Sequence, residues 1–293
     1  MENKLFRTNN FKIVGRLISA DVRTGNRKDN GQGYVSVDVT VQSNIGGKNN
    51  EFEISLFASQ MTKEGKPSQL YTSYTKLPEL VNKKVEISGE IRENRYYSAN
   101  LSQIISSQQL SGRWVRGVAD SSTDEATYEL GGFIVKSLIE RQNKAGEVYR
   151  YDLTIAQSNF AGNGLSMYTL HVDPSRRDIL AGVEGYNVGD TVRLNGNLVF
   201  TVETVTAASN NEGGFGEPVT RTYTNKQKNF FIEGGSAPIA DDTAYDNVTI
   251  KTLIDAYKAH DVELTAASNT TTATPVTAAP AEAPVTRRQT SLI

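Results

Sequence analysis

Apolar and polar residues alternate through much of the first 230 positions, in short runs broken by Gly, Asn and charged turns. A period of two marks half-buried strands. Residues 11–17 (FKIVGRL), 34–42 (YVSVDVTVQ) and 52–57 (FEISLF) predict three strands, with Gly46-Gly47 as the break before the third. Residues 83–91 (KKVEISGEI) predict a fourth, 92–97 a hairpin and 99–105 a fifth. The stretch 61–77 between the third and fourth is polar and irregular. Its Tyr71 and Tyr74 are expected to pack this insert onto the strands.

The pattern then recurs. Residues 128–138 parallel the first strand, with Gly131 or Gly132 in the place of Gly15. Residues 149–158 parallel 34–43, and 167–172 parallel 52–57. Residues 189–198 parallel 83–91, and Gly196 matches Gly89. Residues 230–233 close the second set after a long Gly/Asn-rich connection, 204–219. Five short strands with an insert after the third is the order of an OB barrel. After them, residues 248–260 carry Ile250, Leu253, Ile254 and Tyr257 at helical spacing. The sequence therefore predicts an all-β protein of two tandem OB-fold β-barrels, with a short C-terminal helix and a disordered tail. The expected boundaries are 1–116 for the first barrel, 117–126 for an acidic linker and 127–236 for the second barrel. An acidic segment with the helix covers 237–264. Residues 265–293 are Thr, Ala and Pro with little to bury, so they are expected to stay disordered.

Composition removes several functions. The chain has no Cys, which excludes disulfides and thiolate metal sites and fits a reducing compartment. Only His171 and His260 are present, and no spacing gathers three or four zinc ligands. No run approaches the ~20 apolar residues of a membrane span. Residues 1–10 lack a secretory core, so a cytoplasmic location is expected. The glycines form no phosphate loop, and Gly213 to Gly216 are expected to lie in a hairpin. Asp241 and Asp242 lack neighbouring ligands. No enzyme activity, cofactor or metal is expected.

The net charge of -2 hides an asymmetry. Residues 1–118 hold 17 Lys and Arg against 11 Asp and Glu, and residues 119–293 hold 14 against 22. The first half attracts phosphates; the second does not by charge alone. Proteins that hold single strands combine cations for phosphates with flat rings for bases. OB barrels bind across strands two and three, between the first-to-second and fourth-to-fifth loops. Arg23, Arg27 and Lys28 fall on the first loop, and Arg92, Arg95, Tyr96 and Tyr97 on the fourth-to-fifth hairpin. Phe57 is a ring on the polar face of strand three, opposite in parity to Phe52, Ile54 and Leu56. Each has a plainer alternative: Tyr96 and Tyr97 as caps on the barrel end, Phe57 as a plug against the insert, the cations as a solvated loop. Trp114 reads as a linker anchor, with base stacking as the alternative. Tyr149, Tyr151, Tyr168, Arg176 and Arg177 would extend a track onto the second barrel, against its net negative charge.

The first barrel, residues 10–105, resembles the bacterial and phage single-stranded DNA-binding protein family. The resemblance lies in FKIVGRL, in SLF at 55–57 and in LVNKKVEISGEIRENRYY at 80–97. That family keeps a Gly-x-Leu-Arg run followed after three residues by a base-stacking aromatic. Gly89, Ile91 and Arg92 match the run, Tyr96 falls on the aromatic, and Phe57 falls on the family's strand-three phenylalanine. Two family tryptophans find no match, at Glu51 and near Ile45. The resemblance implies single-stranded DNA as partner, with RNA left open, in replication, recombination or repair. Tandem barrels with a tail look most like a phage-encoded member. The family's acidic tip with a terminal Pro-Phe is replaced here by RRQTSLI, so its docking role is not carried over. The tail remains the place where replication or recombination proteins would be recruited, and Asp241, Asp242 and Asp246 would compete with DNA or serve the same recruitment. The rival reading is a structural or assembly protein using OB barrels as interaction modules.

Overall fold

The computed structural model describes residues 5–159, 161–208 and 220–271. The first five strands are β1 (Thr8–Asn26), β2 (Gly33–Ile45), β3 (Lys48–Ser59), β4 (Lys84–Ser98) and β5 (Gln103–Gly117). They close in the order β1-β2-β3-β5-β4-β1, with β3 and β5 parallel and the other pairs antiparallel. This is the OB ring. The next five are β6 (Glu125–Gln142), β7 (Val148–Ser158), β8 (Leu165–Val172), β9 (Thr191–Ala208) and β10 (Thr220–Gly235). They follow the same order, closed by one parallel pair, His171 with Phe231. Helix α1 (Gln69–Thr75) and helix α2 (Arg177–Glu184) occupy the third-to-fourth connection of each ring, and α3 (Asn247–Thr271) follows the second.

Alternation builds these rings. In β3, Phe52, Ile54, Leu56 and Ala58 are buried while Glu53, Ser55 and Phe57 face solvent. In β2, Val35, Val37, Val39 and Val41 fill the same core. Where strands cross closely, only Gly fits. A Cβ on Gly89 would sit 2.1 Å from the Ser111 carbonyl oxygen, and one on Gly196 would sit 1.8 Å from that of Phe231. Of the two candidates for the partner of Gly15, the structure selects Gly132: their added Cβ atoms would meet the carbonyl oxygens of Gln42 and Ala156.

The rings share one sheet. The first half of β1 pairs with β4 on one edge and β6 on the other, with Phe11 opposite Tyr128. At this seam Asn9 completes the β4 edge, its Nδ2 donating to the Ile91 carbonyl and its Oδ1 accepting from the Ile91 amide, both at 2.8 Å. Gln157 Nε2 donates to the carbonyls of Thr8 (2.7 Å) and Gly131 (2.6 Å). One apolar cluster runs through both rings.

Several elements differ from the sequence expectation. The segment 92–97 is not a hairpin turn. It is the outer half of β4, paired with β5 from Arg92 opposite Gln109 to Tyr97 opposite Ile104. Alternation simply continues past Ile91, and the fifth strand accordingly extends to Gly117. The insert holds α1, and Tyr74 is buried with its hydroxyl donating to the Arg113 carbonyl at 2.7 Å, as expected of a packing residue. Burial pushes the Tyr74 phenol up to about 12. The C-terminal helix is longer than its periodicity implies and carries the first residues of the expected tail, to Thr271. Residues 272–293, and 209–219 of the long connection, lie outside the described residues.

Candidate nucleic-acid interface

The outward residues of β2 and β3 form a shallow face on the first barrel. Ser36 lies opposite Phe57, which sets Tyr34 diagonally across from it. The two rings stack with centroids 5.6 Å apart at 26°, and Phe57 remains 50% exposed. Arg27, from the loop between β1 and β2, places its guanidinium 5.3 Å from the Phe57 centroid. Phe57 is thus an open ring braced by a second aromatic and a cation. Tyr34 was not singled out in the sequence, although its parity in YVSVDVTVQ places it with Ser36 and Asp38 on the polar face. Parallel β5 flanks β3 from Ile54 opposite Leu110 to Leu56 opposite Gly112. Trp114 is not a linker anchor: it lies in β5 opposite Ser88 with 61% of its surface open.

The other expected residues divide. Lys28 is exposed on the first loop. Arg23 lies in β1 rather than in the loop, bound to Asp21 and Asp38 at 2.7 Å each. All three side chains are exposed, so these are surface ion pairs that leave Arg23 able to exchange its carboxylates for a phosphate. In the arm formed by β4 and β5, alternation puts Arg92, Asn94 and Tyr96 on one side and Glu93, Arg95 and Tyr97 on the other. Arg92 is exposed, and Tyr96 is 47% exposed. Arg95 is committed elsewhere. Its side chain is only 10% exposed, pairs with Asp261 of α3, and lies 3.5 Å from the Tyr257 ring centroid. Glu93 accepts from the Tyr257 hydroxyl (2.5 Å) and the Met167 amide (2.9 Å). Burial, then the Glu93 hydrogen bond, push the Tyr257 phenol well above its ordinary value. The inner side of the arm therefore docks α3 and the second barrel, and only the outer side is free for a ligand. Tyr97, half-buried, belongs to the inner side.

On the second barrel, Tyr168 is buried in the seam, its hydroxyl donating to the Ile91 carbonyl at 3.2 Å. Arg176 pairs with Glu233 and Asp178. Tyr149 is open, with Arg150 5.5 Å from its centroid, and Arg177 is exposed. Asp241 and Asp246 accept local hydrogen bonds, from Thr243 and from the Thr249 amide at the start of α3. Among the described residues no cluster of His, Asp and Glu is suited to hold a metal, and no helix is long and apolar enough to cross a membrane.

His171 is a packing residue with a polar partner. It is buried, and its Nδ1 lies 2.9 Å from Asp152 Oδ1. Asp152 also meets Arg141 (2.6 Å) and Arg150 (2.9 Å). Burial would raise the Asp152 carboxyl, but Arg141, Arg150 and His171 outweigh it and hold it below the ordinary value. Burial, then the Arg150 charge, push the His171 imidazole below its ordinary 6.5. A base with a lowered folded pKa binds fewer protons folded than unfolded, so stability falls as pH drops below about 6.5. Asp152 adds a second loss in the acid range beneath the ordinary 3.8. The melting temperature should fall from pH 7 to pH 5, and His171→Gln should flatten that slope. An equal slope in both proteins would place the titration elsewhere.

Two closed rings of this strand order, with a stacked aromatic pair and cations on the outer β2–β3 face, define a two-barrel protein of the OB class. By sequence, the YorF family model matches residues 7–267, and the chain belongs to that family. No curated protein matches it by sequence. Among solved structures, it is similar to the wild-type single-stranded DNA binding protein from Thermus aquaticus. Identity there is 12%, with 83% of this chain and 98% of that chain covered, at a TM-score of 0.51. A deletion mutant of that Thermus aquaticus protein matches at 12% identity over 80% of this chain and 96% of its own, at a TM-score of 0.48. The structure of a replication protein A heterotrimer bound to ssDNA matches at 14% identity over 76% and 49%, at a TM-score of 0.22.

Proposed function

We propose that this protein binds single-stranded DNA without catalysis and with little sequence selectivity, chiefly on the first barrel. The observation that carries the reading is the half-exposed Phe57 ring, stacked on Tyr34 beside Arg27, on the face where OB barrels receive a strand. Arg92 and Tyr96 on the outer side of the arm extend it. Rings stack on any base and cations meet any phosphate, so the pairing tolerates sequence. A duplex hides the faces such rings need. The likeness in fold to the Thermus aquaticus protein, itself a single-stranded DNA binding protein, supports the same reading. Service in DNA replication, recombination or repair, in the cytoplasm and in a phage-encoded setting, is the wider role we attach to it. Two tandem copies of one barrel unit, joined near 117–126, is the domain plan we attach.

Fluorescence anisotropy with a labelled oligo-dT of about 30 nucleotides, long enough for two barrels, tests it directly. Binding to dT should exceed binding to an equal-length duplex and weaken as salt rises. An RNA strand in parallel defines the sugar preference. Tyr96→Ala should weaken dT binding by about 1 kcal/mol, as loss of one stacking ring. Absence of binding to any of these strands would overturn the reading in favour of an interaction module.

A further inference from the structure

The first barrel's binding face is not built by that barrel alone. The β9–β10 arm of the second barrel lies along β3. Phe200 of β9 packs on Phe52 of β3 with centroids 5.1 Å apart, and its amide donates to Asn50 Oδ1 at 2.9 Å. This anchor brings two outward lysines of β10 onto Glu53. Lys226 Nζ bonds Glu53 Oε1, and Lys228 Nζ lies 3.3 Å from Glu53 Oε2. The three side chains are 45%, 39% and 48% exposed, so the cluster is open to solvent. Lys228 also sits 5.8 Å from the Phe200 centroid, which steadies it. Glu53 shares the outward side of β3 with Phe57, four residues and about 13 Å along the strand.

We infer that Lys226 and Lys228 are phosphate-binding residues of this same interface, and that the Glu53 carboxylate fills the phosphate position between them until a phosphate of the bound strand displaces it. The inference rests on the proposed binding of single-stranded DNA and adds to it a contribution from the second barrel. The chemistry is an exchange of one anion for another. A carboxylate held by two ammoniums on an exposed face is a surface ion pair, which contributes little stability and is readily exchanged. Hydrogen bonding from Lys226 keeps Glu53 ionised, so the cluster stands charged in the unbound protein. The Lys226 ammonium is raised above its ordinary value chiefly by its hydrogen bond to Glu53, with the Glu51 charge adding to it. A strand laid on Phe57 and running along β3 passes this point. The overall acidity of the second half hides the feature, because only these two lysines need reach the first barrel.

The test measures anisotropy with the same oligo-dT over a salt series in three full-length variants: Lys226→Ala with Lys228→Ala, Glu53→Gln, and Phe57→Ala. The double lysine variant should bind about tenfold more weakly, and its dependence of log K on log salt should be shallower by about 1.4, for two phosphate contacts. Glu53→Gln should bind about threefold more tightly, because the competing anion is gone. A merely structural clip between barrels behaves differently, since Glu53→Gln breaks the same bridges and would then weaken binding too. That result would overturn the inference. So would wild-type affinity and salt slope in the double variant while Phe57→Ala binds weakly, and the proposed function would survive that outcome. Failure of the wild-type protein to bind oligo-dT would remove both.

Discussion

Phe57→Ala should weaken binding to oligo-dT by about 2–3 kcal/mol, roughly 30- to 150-fold, the upper range for loss of a base-stacking ring. The size follows from how the ring is held. A stacking platform that must first be ordered loses part of its binding energy to that ordering. Phe57 is already fixed, on a strand whose neighbours on both sides are paired, with Tyr34 stacked on it and Arg27 beside it. Among the described residues no second ring or cation braces Tyr96, which is why its removal is expected to cost less. Phe57→Trp, which keeps a flat ring, should retain most of the affinity. The folded state should barely notice Phe57→Ala, since the side chain faces solvent and Leu56 and Ala58 make the core contacts on either side. An unchanged dissociation constant together with an unchanged melting temperature would remove Phe57 from the interface.

Much of this face is legible in the sequence. Gly46-Gly47 is a two-residue turn, and both glycines adopt positive φ, 58° and 77°, as a type I′ hairpin needs. Such a turn fixes the register of the whole β2–β3 pair, so Ser36 must face Phe57 and Tyr34 must lie diagonal to it. The aromatic pair is therefore implicit in the turn and the parity. Gly89 and Gly196 were readable for a similar reason: a close crossing that excludes a Cβ leaves one residue type.

What the sequence could not show are contacts closed by tertiary structure. Arg95 stands in the same basic, aromatic run as Arg92 and Tyr96, and nothing local separates them. Its partners, Tyr257 and Asp261, lie more than 160 residues away on α3. Strand alternation sorts the arm into two sides, but only the docked helix shows which side is taken. Lys226 and Lys228 are the converse case. Their segment belongs to the acidic half, and their position on Glu53 depends on the arm of one barrel lying across the other. Net charge by segment is a statement about sequence neighbours, whereas a phosphate responds to spatial neighbours.

That dependence makes Phe200 the residue whose loss should cost the fold most. It is 3% exposed and lies between the cores, 5.1 Å from the Phe52 ring of the first barrel and 5.4 Å from the Phe230 ring of the second. Truncation to Ala removes both ring contacts and leaves a void at a junction where neither rigid ring can collapse to fill it. The expected loss is about 3–5 kcal/mol, measured by urea denaturation. Phe200→Leu should cost less, because a branched apolar side chain still fills part of the space. The variant should also lose affinity for oligo-dT while Phe57, Tyr34 and Arg27 are intact, since freeing the arm lets Lys226 and Lys228 leave the face. Their contribution bounds that loss at about tenfold, the effect expected of removing both lysines. A stability loss below about 1 kcal/mol would mean that the two cores are energetically separate. The β1–β6 strand pairing, rather than this aromatic junction, would then hold the barrels together.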